Sequence, residues 1–280
     1  MANDNAPKKR MYLINNNTRA DTPICRYMSF DKFIQLVEGK LYVPRKKSFW
    51  DIRESGKIPP KFRWAFSLHQ ASNFEGQKSS EKIQKDIDQE IKNVLISRLL
   101  LTSCWTIDNG EDYLMWKAYA GDCGICVHTT IEKLLEAINY AKENYLVVCS
   151  PMFYGHYKPR KPFLETIFKK DLPYQSENEI RFYFLKDKDI MVEEQKEIET
   201  SIVERMLLEA CEDEEKMFDD NKKNYASHII FDINPMFIDS ITLSPTIPSL
   251  SVQCFRKMLT RQYKNIFTNE KSIKQSTLTY

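Results

Sequence analysis

The sequence predicts an α+β protein, with mixed or antiparallel central sheets and flanking helices. Three features carry that expectation. A strand, a helix and a second strand follow one another between Ile24 and Pro44. An apolar strand, a tight turn and a glycine-flanked strand fill Leu99–Thr129. Strand-like runs then recur toward the C-terminus, with an amphipathic helix among them. At 280 residues, 42% of them hydrophobic, the chain has ample material for a core.

Residues 1–20 read as a flexible leader in which Met11-Tyr12-Leu13-Ile14 suits a short edge strand, ahead of one α+β domain over 21–280. Ile24-Cys25-Arg26-Tyr27-Met28 is strand-like, and Ser29 is a helix N-cap residue. The helix Phe30–Gly39 places Phe30, Phe33, Ile34 and Val37 on one face, with Gly39 as its C′ residue. Leu41–Pro44 begins the next strand. Residues 45–80 mix charge, aromatics and Pro59-Pro60 and read as a long loop, a length that is often functional. Residues 79–98 carry Ile83, Ile87, Ile91, Val94 and Leu95 at helical spacing.

Leu99-Leu100-Leu101 and Thr102-Ser103-Cys104-Trp105 suit a buried strand, and Asp108-Asn109-Gly110 supplies a turn. Tyr113, Met115, Trp116 and Tyr119 fit one helix face, and Gly121 and Gly124 precede the strand Ile125–His128. Thr130–Asn144 is a second helix, with Ile131, Leu134, Leu135 and Ile138 on its face. Leu146–Cys149 and Met152–Tyr154 are strands interrupted at Ser150-Pro151. A basic run spans Lys158–Lys170, and Tyr174–Phe184 is a polar-to-aromatic strand. Residues 186–224 read as an acidic, helical insertion. Ile229–Ile233 and Phe237–Leu243 return to strand character, Ser249–Tyr263 is a last helix, and Ile273–Thr279 a last edge strand.

A net charge of +2 gives no global electrostatic case for a nucleic acid or a membrane, and no stretch approaches the ~20 apolar residues of a membrane span. Seven cysteines, an odd number set mostly in apolar runs, suit reduced thiols in a cytoplasm. Cys123-Gly-Ile-Cys126 leads into a strand rather than opening a helix, so it reads as two buried thiols and no metal is expected. No nucleophile-elbow, P-loop or Rossmann glycine pattern occurs.

The chemistry-bearing candidates are polar residues on strands. Arg26 sits in mid-strand, where an unpaired guanidinium is costly. Thr102 and Ser103 end the apolar leucine run. Glu177 and Glu179 share a face if both lie on one strand, and each raises the other's pKa unless a cation intervenes. Arg181, on that same face, is such a cation, and a merely structural Glu–Arg ladder on an exposed strand is the competing reading.

In order, Arg26-Tyr27, Leu41-Tyr42, Ser103-Cys104-Trp105, Leu114-Met115-Trp116…Tyr119, Gly124-Ile125-Cys126 and Glu177-Asn178-Glu179-Ile180-Arg181 resemble the bacterial family called domain of unknown function 2971. That layout is similar to ADP-ribosyltransferases of the Arg–Ser–Glu type, and implies an ADP-ribosyltransferase-like fold with NAD as substrate and no metal. The resemblance puts Arg26 on the cofactor phosphate, with Tyr27 beside it, and Ser103 behind the nicotinamide pocket. It assigns Glu179 to the ribose and the oxocarbenium ion, Glu177 to the acceptor, and Trp116 or Tyr119 to stacking on nicotinamide. The implied function is NAD-dependent ADP-ribosyl transfer to a protein or nucleic-acid acceptor in a bacterial cytoplasm, in the manner of a toxin or antiphage defence effector. Two alternatives stay open: a nucleic-acid-binding or processing protein using Lys158–Lys170 and Arg45-Lys46-Lys47, and a non-catalytic interaction module using the acidic 186–224 segment.

Overall fold

Strand pairing organises the chain, and one weak seam in that pairing sets the position of the cleft. The structure is a computed structural model and describes residues 11–13, 18–46, 100–138, 145–155, 167–186, 227–269 and 272–278. The loop expected beyond Lys46, the helix over 79–98, most of the basic run and the acidic insertion lie outside the described residues.

In chain order the strands are β1 (Met11–Leu13), β2 (Pro23–Met28), β3 (Lys40–Pro44), β4 (Leu101–Ile107), β5 (Ile125–Thr130) and β6 (Tyr145–Pro151). They continue as β7 (Phe153–Tyr154), β8 (Lys169–Lys170), β9 (Glu179–Lys186), β10 (His228–Asp232), β11 (Ser240–Leu243) and β12 (Ile273–Gln275). The principal helices are α1 (Phe30–Val37), α2 (Ile131–Ala137) and α3 (Ser249–Gln262). Eight strands form a mixed sheet in the order β1-β6-β9-β4-β2-β5-β11-β12, while β3 pairs with β10 and β7 with β8. The outermost pairs, β1 with β6 and β11 with β12, are parallel, and the rest of the large sheet is antiparallel. A mixed central sheet with a few helices is therefore the observed class.

Alternation along the strands gives the sheet two different faces. Ile24, Met28, Trp105, Val127, Phe182 and Ile241 enter the main core with Phe33 of α1, Leu134 of α2 and Leu259 of α3. Cys25, Tyr27 and Cys126 face the other way and pack with Met115, Trp116 and Ala120. Pairing across the middle of the sheet is short. Only Ile24 with Ile107 and Cys25 with Thr106 join β2 to β4, whereas β2 pairs with β5, and β4 with β9, over six residues each. Beyond Cys25 and Thr106 the two central strands part.

Several elements differ from expectation, each for a local reason. The second helix stops at Ala137, because Ile138 turns extended and bridges to Ile233. Pro151 does not interrupt its strand: it is the last residue of β6, opposite Ile180, where a missing N–H is tolerated. Tyr113–Met115 is one α turn that widens into a π turn over Trp116–Ala120, so Met115, Trp116 and Ala120 are buried while Tyr113 and Tyr119 point outward. The expected single aromatic face is thus divided. Gly124 permits this packing, since a Cβ there would stand 2.3 Å from that of Ala120. The 3-10 turn Leu172–Glu177 replaces the start of the expected strand at Tyr174, and Asn178 adopts a left-handed conformation (φ 43°) before β9 begins at Glu179. The stretch expected to be strand from Phe237 likewise starts as a 3-10 turn, Pro235–Phe237, with β11 following at Ser240.

Candidate active site

Where β2 and β4 diverge, a cavity of about 480 Å³ opens, a size that suits a small-molecule ligand. Arg26 and Tyr27 of β2 line it on one side, and Thr102, Cys104, Trp105 and Thr106 of β4 on the other. Helix α1 and strand β3 contribute Lys32, Gln35, Lys40 and Tyr42, and the π turn contributes Ala118 and Tyr119. Lys170, Tyr174, Glu177 and Glu179 complete the wall. Arg26 and Glu179 belong to opposite faces of the sheet by alternation, and the splitting of the strands is what lets both reach one space.

Arg26 is the cationic end. Its Nη1 lies 3.4 Å from Ser103 Oγ, and its guanidinium stands 5.7 Å from the centroid of the Trp105 ring. Among the described residues no carboxylate lies within ion-pair distance of it. Burial pulls its pKa below the ordinary arginine value, which is the mark of a charge that gains from an added anion. Ser103 is fully buried, does not line the cavity, and also accepts a hydrogen bond from Trp105 Nε1 at 3.0 Å. It serves as a support beneath Arg26 and Trp105.

The acidic end is a buried charge cluster. Arg181 Nε meets Glu179 Oε1 at 2.5 Å and its Nη2 meets Oε2 at 3.0 Å, while Lys170 Nζ approaches the same Oε2 at 3.1 Å. Lys170 also bonds Glu177 Oε2, and the Tyr119 hydroxyl donates to Glu177 Oε1 at 3.2 Å. The Glu179 backbone N–H donates to the Tyr154 hydroxyl at 2.7 Å. Burial pushes the Glu179 pKa up, but the charge and hydrogen bonds of Arg181, then Lys170 and Cys104, outweigh it and hold the carboxyl well below its usual range. Glu177 and Glu179 do not share a strand face as the alternation predicted, because Asn178 reverses the chain between them. They meet instead through Lys170. The Tyr119 hydroxyl is pushed up in pKa by burial and by the Glu177 charge, so it stays a donor.

The other sequence candidates fall in different places. Tyr27 lines the cavity and its hydroxyl accepts from the Asp112 N–H at 3.0 Å. Trp116 is 1% exposed and does not line the cavity; it meets the Tyr27 ring edge-on at 4.9 Å and donates its indole N–H to Glu111. It braces Tyr27 from behind. Of the basic residues offered for nucleic acid, Arg45, Lys46 and Lys170 are buried and Lys169 is half-buried; Lys47 and residues 158–166 lie outside the described residues.

Sequence reasoning missed Lys170, which it counted only as one charge in a basic run, and Lys32, Lys40 and Trp105. The signal for Lys170 is its place shortly before the Glu177-x-Glu179 pair, which needs a cation; strand alternation points to Arg181 alone. No helix among the described residues is long and apolar enough to cross a membrane. No protein-family model, curated protein or solved structure matches the chain.

Proposed function

We propose that the cleft binds NAD and that the chain is an NAD-dependent ADP-ribosyl-transferring enzyme. The observation that supports this reading is a single cavity with a buried arginine at one end, without a carboxylate partner among the described residues, and two carboxylates at the other. A dinucleotide offers a pyrophosphate for Arg26 and a ribose that becomes cationic as the nicotinamide bond breaks. Charge placed in advance where charge develops is the main source of rate in such reactions.

Glu177 is the better group for the developing oxocarbenium ion. Each oxygen of Glu179 is engaged by Arg181, and one of them by Lys170 as well, inside the fold. Glu177 lies at the end of its turn, with the Tyr119 hydroxyl on one oxygen and Lys170 on the other. In this assignment Glu179 fixes Lys170, Lys170 orients Glu177, and Glu177 faces the ribose. Tyr119 and Trp105 supply the ring surfaces for nicotinamide, since Trp116 is out of reach.

The test is titration with NAD, followed by transfer of label from NAD to protein or RNA acceptors. Arg26→Leu is expected to weaken NAD binding at least tenfold. Glu177→Gln is expected to leave binding within threefold and reduce transfer by two or more orders of magnitude. Absence of NAD binding by the intact chain, or full transfer by Glu177→Gln, refutes the proposal.

A further inference from the structure

On the sheet face turned away from the main core, β2 and β5 bring two thiols and an imidazole together. We propose that Cys25, Cys126 and His128 hold a thiophilic divalent metal ion, of which Zn²⁺ is the chemical match. Their ligand atoms all lie within 4.8 Å of one another. The strand register dictates the cluster: Cys25 stands opposite His128, and Cys126 precedes His128 by two residues and so shares its face. Cys25 is 0% exposed and Cys126 1%, so both thiols are held inside the protein rather than offered to solvent.

What distinguishes this cluster from ordinary core cysteines is the support around the histidine. Asp108 Oδ2 lies 2.6 Å from His128 Nδ1, and Thr242 Oγ1 lies 2.9 Å from Nε2. A carboxylate on one ring nitrogen fixes the proton there and leaves the other nitrogen's lone pair for a ligand, the arrangement that orients histidines on metals. Nε2, whose lone pair receives the Thr242 hydroxyl in this structure, is then the nitrogen a metal would take over. Thr242, opposite Cys126 in the β5–β11 register, places an oxygen beside it for the fourth position. Two sulfurs, one imidazole and an oxygen make a donor set that suits tetrahedral zinc far better than magnesium or calcium. As the two Zn–S bonds form, the thiol protons of Cys25 and Cys126 leave to solvent.

The site lies outside the cleft but is coupled to it by register, because Tyr27, which lines the cleft, pairs with Cys126. A metal here would pin β2 to β5 and hold Arg26 and Tyr27 in place. Its role is structural and independent of the NAD reading. Cys123, the other half of the C-x-x-C, is exposed rather than buried as its sequence context implied, and takes no part.

The experiment is metal analysis of the full chain purified without chelator, followed by Co²⁺ substitution of the stripped protein. About one zinc per chain is expected, and Co²⁺ is expected to give tetrahedral ligand-field bands with a thiolate-to-cobalt charge-transfer band of two-sulfur intensity. Cys126→Ser should roughly halve that band, and Cys123→Ser should leave it unchanged. The wild-type intensity counts the sulfurs even if Cys126→Ser fails to fold. Zinc well below one per chain together with a Co²⁺ spectrum lacking the thiolate band overturns the proposal, as does a Cys25–Cys126 disulfide in the purified protein.

Discussion

Replacing Glu179 by Gln isolates the buried charge cluster. The glutamine keeps the shape and one acceptor but removes the negative charge, leaving Arg181, 1% exposed, and Lys170, 7% exposed, with less compensation in the interior. The magnitude follows from the carboxyl's own pKa, which the cluster lowers from an ordinary 4.5 to about 2. At about 1.4 kcal/mol per pH unit, that corresponds to on the order of 3 kcal/mol of stability. Because the folded-state pKa is lowered, this stability is fully present above the unfolded value and is lost as pH falls toward the folded one. Urea denaturation of the wild type and Glu179→Gln at a series of pH values therefore has a defined shape. The two should differ by roughly 3 kcal/mol near neutrality. The gap should narrow by about 60% on reaching pH 3, since only the wild type carries this titration. Curves that run parallel from pH 6 to pH 3 would refute the account of Glu179 as a buried, cation-held carboxylate.

Two further outcomes test the frame of the site. Gly124→Ala would bring a methyl within 2.4 Å of the Ala120 carbonyl oxygen, backbone that has no easy way to move, so a loss of about 2–3 kcal/mol is expected in thermal or chemical denaturation. Asn178→Ala forces a Cβ-bearing residue without local side-chain hydrogen bonding into the left-handed region and deletes the bond from Nδ2 to the Ile107 carbonyl at 3.3 Å; a loss of about 1–2 kcal/mol is expected, with Asn178→Gly recovering most of it in the same measurement.

Local chemistry made much of this fold readable. Gly39 ends α1 at φ 79° as its sequence position implied, Asp108-Asn109-Gly110 turns the chain, and Met11–Leu13 and Ile273–Gln275 are the sheet's two edge strands. What stayed hidden was set by tertiary contact. The helical spacing of Tyr113, Trp116 and Tyr119 assumed 3.6 residues per turn, and the π turn rotates Trp116 away from the other two. The alternation rule places Glu177 and Glu179 on one face, but that rule holds only within a strand, and β9 begins only after Asn178, at Glu179. Arg26 and Tyr27 were legible as strand residues, yet nothing local states that β2 and β4 separate just past Cys25. The Cys25–Cys126–His128 grouping was equally invisible, because its members come from strands distant in sequence and match no ligand-spacing motif.

The brief β2–β4 ladder has a consequence for recognition that side-chain chemistry alone does not convey. Past Cys25 and Thr106, the facing margins of these strands form a sheet edge inside the molecule rather than at its rim. An outer edge invites other chains and is a liability; an inner one is shielded from them by the two half-sheets. If the cleft takes a ligand as proposed, that ligand would lie against strand backbone as well as against Arg26. Backbone contacts of that kind would survive every side-chain mutation, so on the proposed reading substitutions that change the width of the gap should alter which ligands fit more than how tightly any one charge is held.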